Sequence, residues 1–170
     1  MQMTDERIIQ ADRETVWAAL LSPEVLKECV PGAQEVAGSV EQGFEAVVVQ
    51  KVGPVKATFK GQVMLSDMVE PESLTLSGEG KGGAAGFAKG GAKVVLSDAE
   101  GGTRLSYEVE AKVGGKIAQL GSRLIDSFAK KMADEFFTRF QDALEASDGQ
   151  AEASAEEGAK KGWFSKLRGK

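Results

Sequence analysis

The sequence predicts an α+β fold in which a strongly curved antiparallel sheet packs around one long C-terminal helix. Strand-like segments with alternating apolar and polar residues fill the middle of the chain, and a single long helical pattern follows them. Strands and helices do not alternate along this part of the sequence. Several strands followed by a helix are typical of the α+β class.

The long helix is predicted over residues 117–146. Gly114 and Gly115 end the preceding strand, and a polar stretch at residues 147–149 is a stop signal. Apolar side chains recur every three or four residues between them: Ile117, Leu120, Leu124, Phe128, Met132, Phe136, Phe140 and Leu144. Such a helix is about 45 Å long, so the strands must cover its apolar stripe. The simplest interpretation of this stripe is ordinary core.

Two short helices are expected after a first strand over residues 3–11. Asp12 is a suitable N-cap for the first helix, and Ser22 followed by Pro23 begins the second. Pro31 and Gly32 end this helical region. The sequence therefore favours a bent pair of helices over one straight helix.

About five or six antiparallel strands are predicted next. They begin with residues 44–52 and 55–69, continue with a strand that starts at Leu74, and end with residues 84–96 and 103–113. In the clearest of them Phe59, Val63 and Leu65 share one face, while Lys56 and Lys60 lie on the other. A period of two is typical of a half-buried strand with one face in water.

Residues 78–83 match the spacing G-x-G-x-x-G, but we reject a dinucleotide site there. That fingerprint must follow a parallel strand and open a helix, so that phosphate meets the helix N-terminus. The residues after Gly83 alternate like a strand. The glycines more simply serve a bend, a bulge or a close backbone approach.

Small side chains on the inward faces of neighbouring strands predict an apolar cavity opposite the long helix. Gly78, Gly80, Ala88 and Ala92 leave space where large residues would otherwise fill the interior. In the alternative, large helix side chains fill that volume. The residues expected to line the cavity are Phe59, Val63, Leu76, Gly78, Gly80, Ala88, Ala92, Val94, Tyr107, Leu120, Leu124, Phe128 and Met132. An apolar cavity without catalytic groups suits a hydrophobic small molecule.

Composition excludes several chemistries. The chain has 170 residues, 42% of them hydrophobic, and it contains no histidine. The usual general base and the commonest metal ligand are therefore missing, and one cysteine, Cys29, leaves no internal disulfide or multi-cysteine zinc site. We expect no metal site, no catalytic residues and no tightly bound cofactor, and a lipid would suit the apolar cavity as a ligand. A net charge of −5 argues against nucleic-acid binding.

The N-terminus is charged, and no run of about 18 apolar residues occurs, so we expect neither a signal peptide nor a membrane-spanning helix. An enzyme, such as a cyclase or hydrolase that uses Asp67 or Tyr107, remains an alternative. A scaffold with a filled core is a third hypothesis. Cys29 is interpreted as a small core residue.

The last part of the chain divides into two segments after a domain at residues 1–146. Residues 147–161 are mostly small or polar and include four acidic residues, which predicts a flexible acidic tether. Residues 162–170 combine aromatic and basic side chains, and the predicted membrane-contacting residues there are Trp163, Phe164, Lys166, Leu167 and Arg168. Such a segment lies on an anionic bilayer surface without crossing it. A disordered solubilising tail is the alternative.

Residues 1–146 resemble the carbon monoxide dehydrogenase G-subunit family, within the START/polyketide-cyclase-like (SRPBCC, helix-grip) superfamily. The resemblance is carried by residues 16–20, by Cys29-Val30-Pro31-Gly32, by residues 53–61 and by the glycine-alanine run of residues 78–92. Its most specific part is residues 113–126. The acidic tether with a terminal aromatic and basic segment also resembles members with a membrane-attached tail.

The resemblance implies a helix-grip fold with an apolar cavity. It further implies a non-catalytic accessory of a molybdenum-containing carbon monoxide dehydrogenase or related hydroxylase. Such a protein would recruit the enzyme to the cytoplasmic membrane, handle a membrane quinone, and reside in the cytoplasm at the inner face of that membrane. The absence of histidine sets this chain apart from enzymatic members of the superfamily.

Overall fold

The computed structural model describes the backbone of residues 1–157 and the side chains of residues 1–145. Within residues 1–157, seven strands form one antiparallel sheet in the order β1-β7-β6-β5-β4-β3-β2, and three α-helices accompany it. The strands are β1 (Gln2–Ile9), β2 (Ala33–Ser39), β3 (Gly43–Val52), β4 (Val55–Val69), β5 (Ser73–Lys81), β6 (Phe87–Ala99) and β7 (Gly102–Gly114). The helices are α1 (Arg13–Leu20), α2 (Pro23–Cys29) and α3 (Ser122–Glu157). The predicted α+β helix-grip architecture is confirmed.

The bent helix pair after β1 has the expected caps in part. The Ser22 hydroxyl accepts a hydrogen bond from the Val25 backbone N–H at 3.3 Å, with Pro23 in the first turn. Asp12 occupies the N-cap position of α1, but its carboxylate accepts a hydrogen bond from the Thr15 hydroxyl instead of capping a backbone N–H. The chain direction at both helix starts is therefore fixed by short polar side chains.

The edge strand β2 was not predicted from the sequence. Its residues have little strand propensity, since Val36 is its only large apolar side chain and Gly38 interrupts it. Pairing with β3, from Ala33 opposite Val48 to Ser39 opposite Gly43, holds it in the sheet. Long-range pairing here outweighs local preference.

The strand β4 carries a bulge that changes the phase of its inward face. The register with β5 shifts between Ser66 and Val69, and Asp67 has a φ of 48°. Asp67 is consequently exposed, and Met68 takes the inward position against the core. Strict alternation alone would put Asp67 on the inward face, and the bulge is the physical reason that its side chain lies in solvent instead.

The long helix starts later and ends later than expected. Lys116–Leu120 forms a 3₁₀ helix, and Gly121, with a φ of 95°, separates it from α3. The predicted stop at residues 147–149 is wrong, since α3 continues to Glu157. One glycine costs a helix interior only about 1 kcal/mol, so Gly149 alone does not end it. Residues 147–157, expected in a flexible tether, are thus helical, and residues 158–170 lie outside the described part.

The packed core occupies the end of the sheet near α1, α2 and the C-terminal half of α3. Phe140 and Leu144 of α3 are fully buried there with Val16 and Cys29 of the short helices, and Ile9 and Leu105 of the sheet are 2% and 1% exposed. The N-terminal half of α3 is different. Its inward residues from Ile125 to Phe137 are only partly buried. These residues line a cavity, although Ala133, Phe136 and Phe137 among them also pack against the core.

Candidate ligand-binding cavity

A cavity of about 690 Å³ lies between the concave face of the sheet and α3. Protein sites for drug-sized ligands span roughly 300–1,000 Å³, so this volume admits such a molecule. The strands contribute Phe44, Ala46, Val48, Gln50, Val52, Phe59, Val63, Leu65, Leu74, Leu76, Gly80, Ala88, Ala92, Val94, Leu105, Tyr107, Val109, Ala111 and Val113 to its lining. Nearly all of these side chains are apolar.

Small residues on three adjacent strands create the space. Gly80 of β5 lies directly opposite Ala88 of β6, and a Cβ added at Gly80 would meet no atom within 4 Å. One step along the same strands, Gly90 is required by close approach. A Cβ there would come 2.7 Å from the Ala111 Cα atom. The inward side chains of the sheet therefore occupy little volume in this region, and the opposing helix does not fill the remaining space.

Most of the residues expected at the cavity do lie in its lining. They are Phe59, Val63, Leu76, Gly80, Ala88, Ala92, Val94, Tyr107, Phe128 and Met132. Whether they contact a ligand stays a prediction. The alternative of a fully packed interior disagrees with this geometry.

Three expected lining residues lie outside it: Gly78, Leu120 and Leu124. A Cβ at Gly78 would stand 2.8 Å from the Gln62 carbonyl oxygen, so Gly78 allows strand contact instead of enlarging the cavity. Leu120 and Leu124 lie against the β3–β4 turn at Gly53, and Leu124 is 36% exposed. The break at Gly121 rotates the apolar stripe, which puts these two leucines at its margin.

Sequence reasoning missed several other lining residues. On α3 they are Ile125, Ala129, Ala133, Phe136 and Phe137. The signal was present, because the spacing 125, 129, 133 and 136 is also helical, but the phase depends on the break at Gly121. On β3 to β7 the missed residues are Phe44, Ala46, Val48, Gln50, Val52, Leu65, Leu74, Leu105, Val109, Ala111 and Val113. Those from the remaining parts of the chain are Met1, Met3, Leu20, Leu21, Leu26, Val30, Pro31, Val36 and Ile117. Their contribution depends on how the short helices and the edge strands close the sides.

Among the side chains that the structure describes, two polar ones reach the lining, and both have partners in the protein. The Gln50 side-chain amide donates a hydrogen bond to the Pro31 carbonyl. Tyr107 stacks on Phe137 with ring centroids 5.4 Å apart, and its hydroxyl accepts from Arg7 Nη2 at 3.5 Å. A ligand in this cavity therefore meets apolar groups almost everywhere.

A polar cluster closes the cavity wall between β1 and α3. Arg7 Nη2 lies 2.6 Å from Asp134 Oδ1, and the Arg7 guanidinium lies 5.0 Å from the Phe137 ring centroid. The hydrogen bond from Arg7 lowers the pKa of the Asp134 carboxyl. This cluster holds the middle of α3 against the sheet edge.

The residues considered for catalysis are not assembled. Asp67 is exposed at the β4 bulge and outside the lining, whereas Tyr107 is 6% exposed and inside it. Cys29 is fully buried, and burial raises the pKa of its thiol to about 12, so the thiol is protonated at neutral pH. No cluster of metal-ligating side chains occurs within the described residues.

The architecture and cavity together define a helix-grip protein of the START-like class. The chain belongs to the carbon monoxide dehydrogenase G-subunit (CoxG) family, whose sequence model matches residues 6–145. The family resemblance noted from the sequence is thereby confirmed. A search of curated proteins returned no match.

Solved structures share the fold. A conserved protein from Geobacillus kaustophilus is 26% identical with a TM-score of 0.81, and the match covers 86% of this chain and 97% of that one. An AHSA1-like protein from Aeromonas hydrophila is 17% identical with a TM-score of 0.58, covering 87% and 94%. A protein from Mycobacterium smegmatis is 15% identical with a TM-score of 0.62, covering 84% and 90%.

The predicted membrane-contacting residues Trp163, Phe164, Lys166, Leu167 and Arg168 lie outside the described part of the chain. Within the described part, no helix is both long and apolar enough to span a bilayer.

Proposed function

We propose that this protein binds a hydrophobic ligand, most simply a membrane quinone, and acts as a non-catalytic accessory. In this proposal it recruits a molybdenum-containing carbon monoxide dehydrogenase, or a related hydroxylase, to the inner face of the cytoplasmic membrane. The observation that carries the proposal is the almost entirely apolar lining of the 690 Å³ cavity. The family's name, which refers to carbon monoxide dehydrogenase, supports the choice of partner.

The lining favours the isoprenoid part of such a ligand. An apolar chain gains about 25 cal/mol for each Å² removed from water, and it needs no hydrogen-bond partner. The carbonyl groups of a quinone do need partners when they are buried. Gln50 and Tyr107 are the polar side chains in reach of the lining. We therefore place the isoprenoid chain against Phe128 and Met132 and the ring near Gln50 or Tyr107.

A cavity-filling substitution tests the ligand proposal. Ala88→Phe and Ala92→Phe each put a ring into the open space, so binding of ubiquinone or menaquinone should fall at least tenfold while the protein stays folded. Ala37, exposed on the edge strand β2, provides the matched control Ala37→Phe. Binding is followed by quenching of intrinsic fluorescence, and folding by thermal melting.

Two results would contradict the proposal. Unchanged quinone binding in both cavity variants would place the ligand elsewhere. A loss of stability of about 1–3 kcal/mol without any effect on binding would indicate an interior that is already full. Native mass spectrometry of gently extracted protein gives a separate check, since a co-purified lipid-sized mass is expected.

A further inference from the structure

The outer face of the sheet carries lysines in directly opposed pairs. Across neighbouring strands Lys51 lies opposite Lys56, Lys60 opposite Lys81, and Lys89 opposite Lys112. All six side chains are exposed. Like charges directly opposite each other in a sheet are destabilising, so this arrangement works against the fold.

These pairs gather at one end of a chain that is acidic as a whole. They lie near the β3–β4 turn and the β5–β6 connection. Exposed Lys116 at the start of the 3₁₀ helix and exposed Arg123 at the start of α3 lie at the same end. We call these eight basic residues the basic end. Within the described part of the chain, none of them has an ion-pair partner, although Glu79 lies opposite Lys89 and Asp126 follows Arg123 by one turn.

The opposite end of the sheet has the opposite charge. The β4–β5 and β6–β7 turns there carry exposed Glu70, Glu72, Asp98 and Glu100. The net charge of −5 therefore conceals a body with a basic end and an acidic end. A field of this kind orients the molecule toward an extended anionic surface.

Exposed apolar side chains lie among the basic ones. Phe87 is 43% exposed and lies directly opposite Lys81, in the same cross-strand row as Lys60. Its ring covers Gly114, where an added Cβ would collide with the Phe87 Cε1 atom. Leu124 is exposed on the helix side of the same end. Basic residues around an aromatic ring are typical of contact with an anionic bilayer surface.

We propose that the basic end contacts an anionic lipid bilayer directly, as a second membrane contact besides the predicted C-terminal segment. The cavity lies at this end, since Phe59, Gly80 and Ala88 line it from the inner side of the strands whose outer side carries the lysines. The bilayer contact would bring the cavity end of the body to the membrane. In that respect the inference rests on the proposed function, because the membrane is then the source of the ligand.

The test measures partitioning of the full-length protein onto vesicles of equal parts phosphatidylcholine and phosphatidylglycerol. The variant Lys60→Gln with Lys81→Gln removes one opposed pair. The matched control Lys27→Gln with Lys131→Gln makes the same charge change at exposed positions on α2 and α3. The pair variant should bind on the order of 20-fold more weakly, about fivefold for each lysine, and the control should change little.

A second variant and a stability measurement keep the proposal falsifiable. Phe87→Ser should weaken binding further, and melting of the Lys60/Lys81 variant should not shift to lower temperature, because a repulsive pair has been removed. Equal binding of the pair variant and its control would overturn the proposal, as would equal binding of wild type to pure phosphatidylcholine vesicles. A basic end that serves an acidic protein instead would produce the first of these results.

The two proposals fail separately. Quinone binding in solution tests the ligand proposal. It should fall in the cavity variants and stay unchanged in the variant Lys60→Gln with Lys81→Gln. Vesicle partitioning concerns the basic end, and it should be untouched by Ala88→Phe.

Discussion

Arg7 shows how one side chain joins three features of this protein. It reaches from the edge strand β1 to Asp134 on α3, and it lies over Phe137 of the cavity wall. Asp134 is half exposed, so solvent screens the pair and its stabilising effect is small. The contact nevertheless fixes where the middle of α3 meets the sheet edge.

The Arg7–Asp134 pair predicts a pH-dependent stability. Because the folded-state pKa of Asp134 is lowered, its contribution is present above the unfolded value of about 3.9 and is lost as pH falls through the folded value. We expect Asp134→Asn to melt at a slightly lower temperature than wild type at neutral pH, with the difference vanishing at strongly acidic pH. Thermal melts across a pH series measure this. Asp126→Asn, exposed on the same helix, is the control, and an equal effect there would contradict the pairing.

At the scale of elements, α3 performs two tasks along its length. Its C-terminal half buries Phe140 and Leu144 in the packed core, while its N-terminal half presents Phe128 and Met132 to the cavity. Large apolar residues recur throughout the helix, so the difference arises from the sheet opposite. Large side chains such as Ile9 and Leu96 pack in the core with the C-terminal half, and Gly80 and Ala88 face the cavity in the other half.

This division predicts that the tail is dispensable for folding. Leu144 is the last buried residue in the described part of the chain, so truncation after residue 149 removes none of the described core. The truncated protein should unfold cooperatively near the melting temperature of the full-length protein, as followed by circular dichroism. Truncation after residue 139 provides a contrast, since it deletes Phe140, Ala143 and Leu144. Loss of a cooperative transition in the longer fragment would mean that residues 150–170 contribute to the core.

At the scale of the whole molecule, the basic end lies near the start of α3, and the predicted C-terminal segment follows the end of α3 in the sequence. The helix from Ser122 to Glu157 is about 54 Å long. The six residues from Glu157 to Trp163 span at most about 22 Å when extended. Both contacts can touch one bilayer only if α3 tilts toward the surface. An upright body would use one contact at a time.

The C-terminal segment itself is predicted to need two signals. Trp163 and Phe164 would insert at the headgroup boundary, and the five basic residues between Lys160 and Lys170 would add at most about 5 kcal/mol of electrostatic attraction. Trp163→Ala with Phe164→Ala should therefore reduce sedimentation with anionic liposomes, and binding should weaken with added salt. Trp17 is buried in the core and is therefore not a useful control. Phe87→Ser alters the other proposed contact, so comparing the two variants separates the contribution of the C-terminal segment from that of the basic end. An aromatic double variant that binds as wild type does would leave the segment as a protein-docking element or as disorder.

Much of the fold followed from local patterns in the sequence. The period of two in β4 and the three- to four-residue spacing in α3 identified the two main elements and their apolar faces. The same period of two puts Gly80, Ala88 and Ala92 on the inward face, and their small size predicted space opposite the helix. A local pattern determines which way a side chain points, because that depends on backbone geometry within a few residues.

The sequence by itself determined the order of the elements other than β2, the family, and the inward positions of most residues expected at the cavity. Only the tertiary structure decided the strand β2, the bulge at Asp67 and the rotation of the helix stripe after Gly121, since pairing and backbone irregularities set them. The lysine pairs are the clearest example. Lys60 and Lys81 are distant in the chain and become neighbours only through the β4–β5 register, which no local pattern specifies.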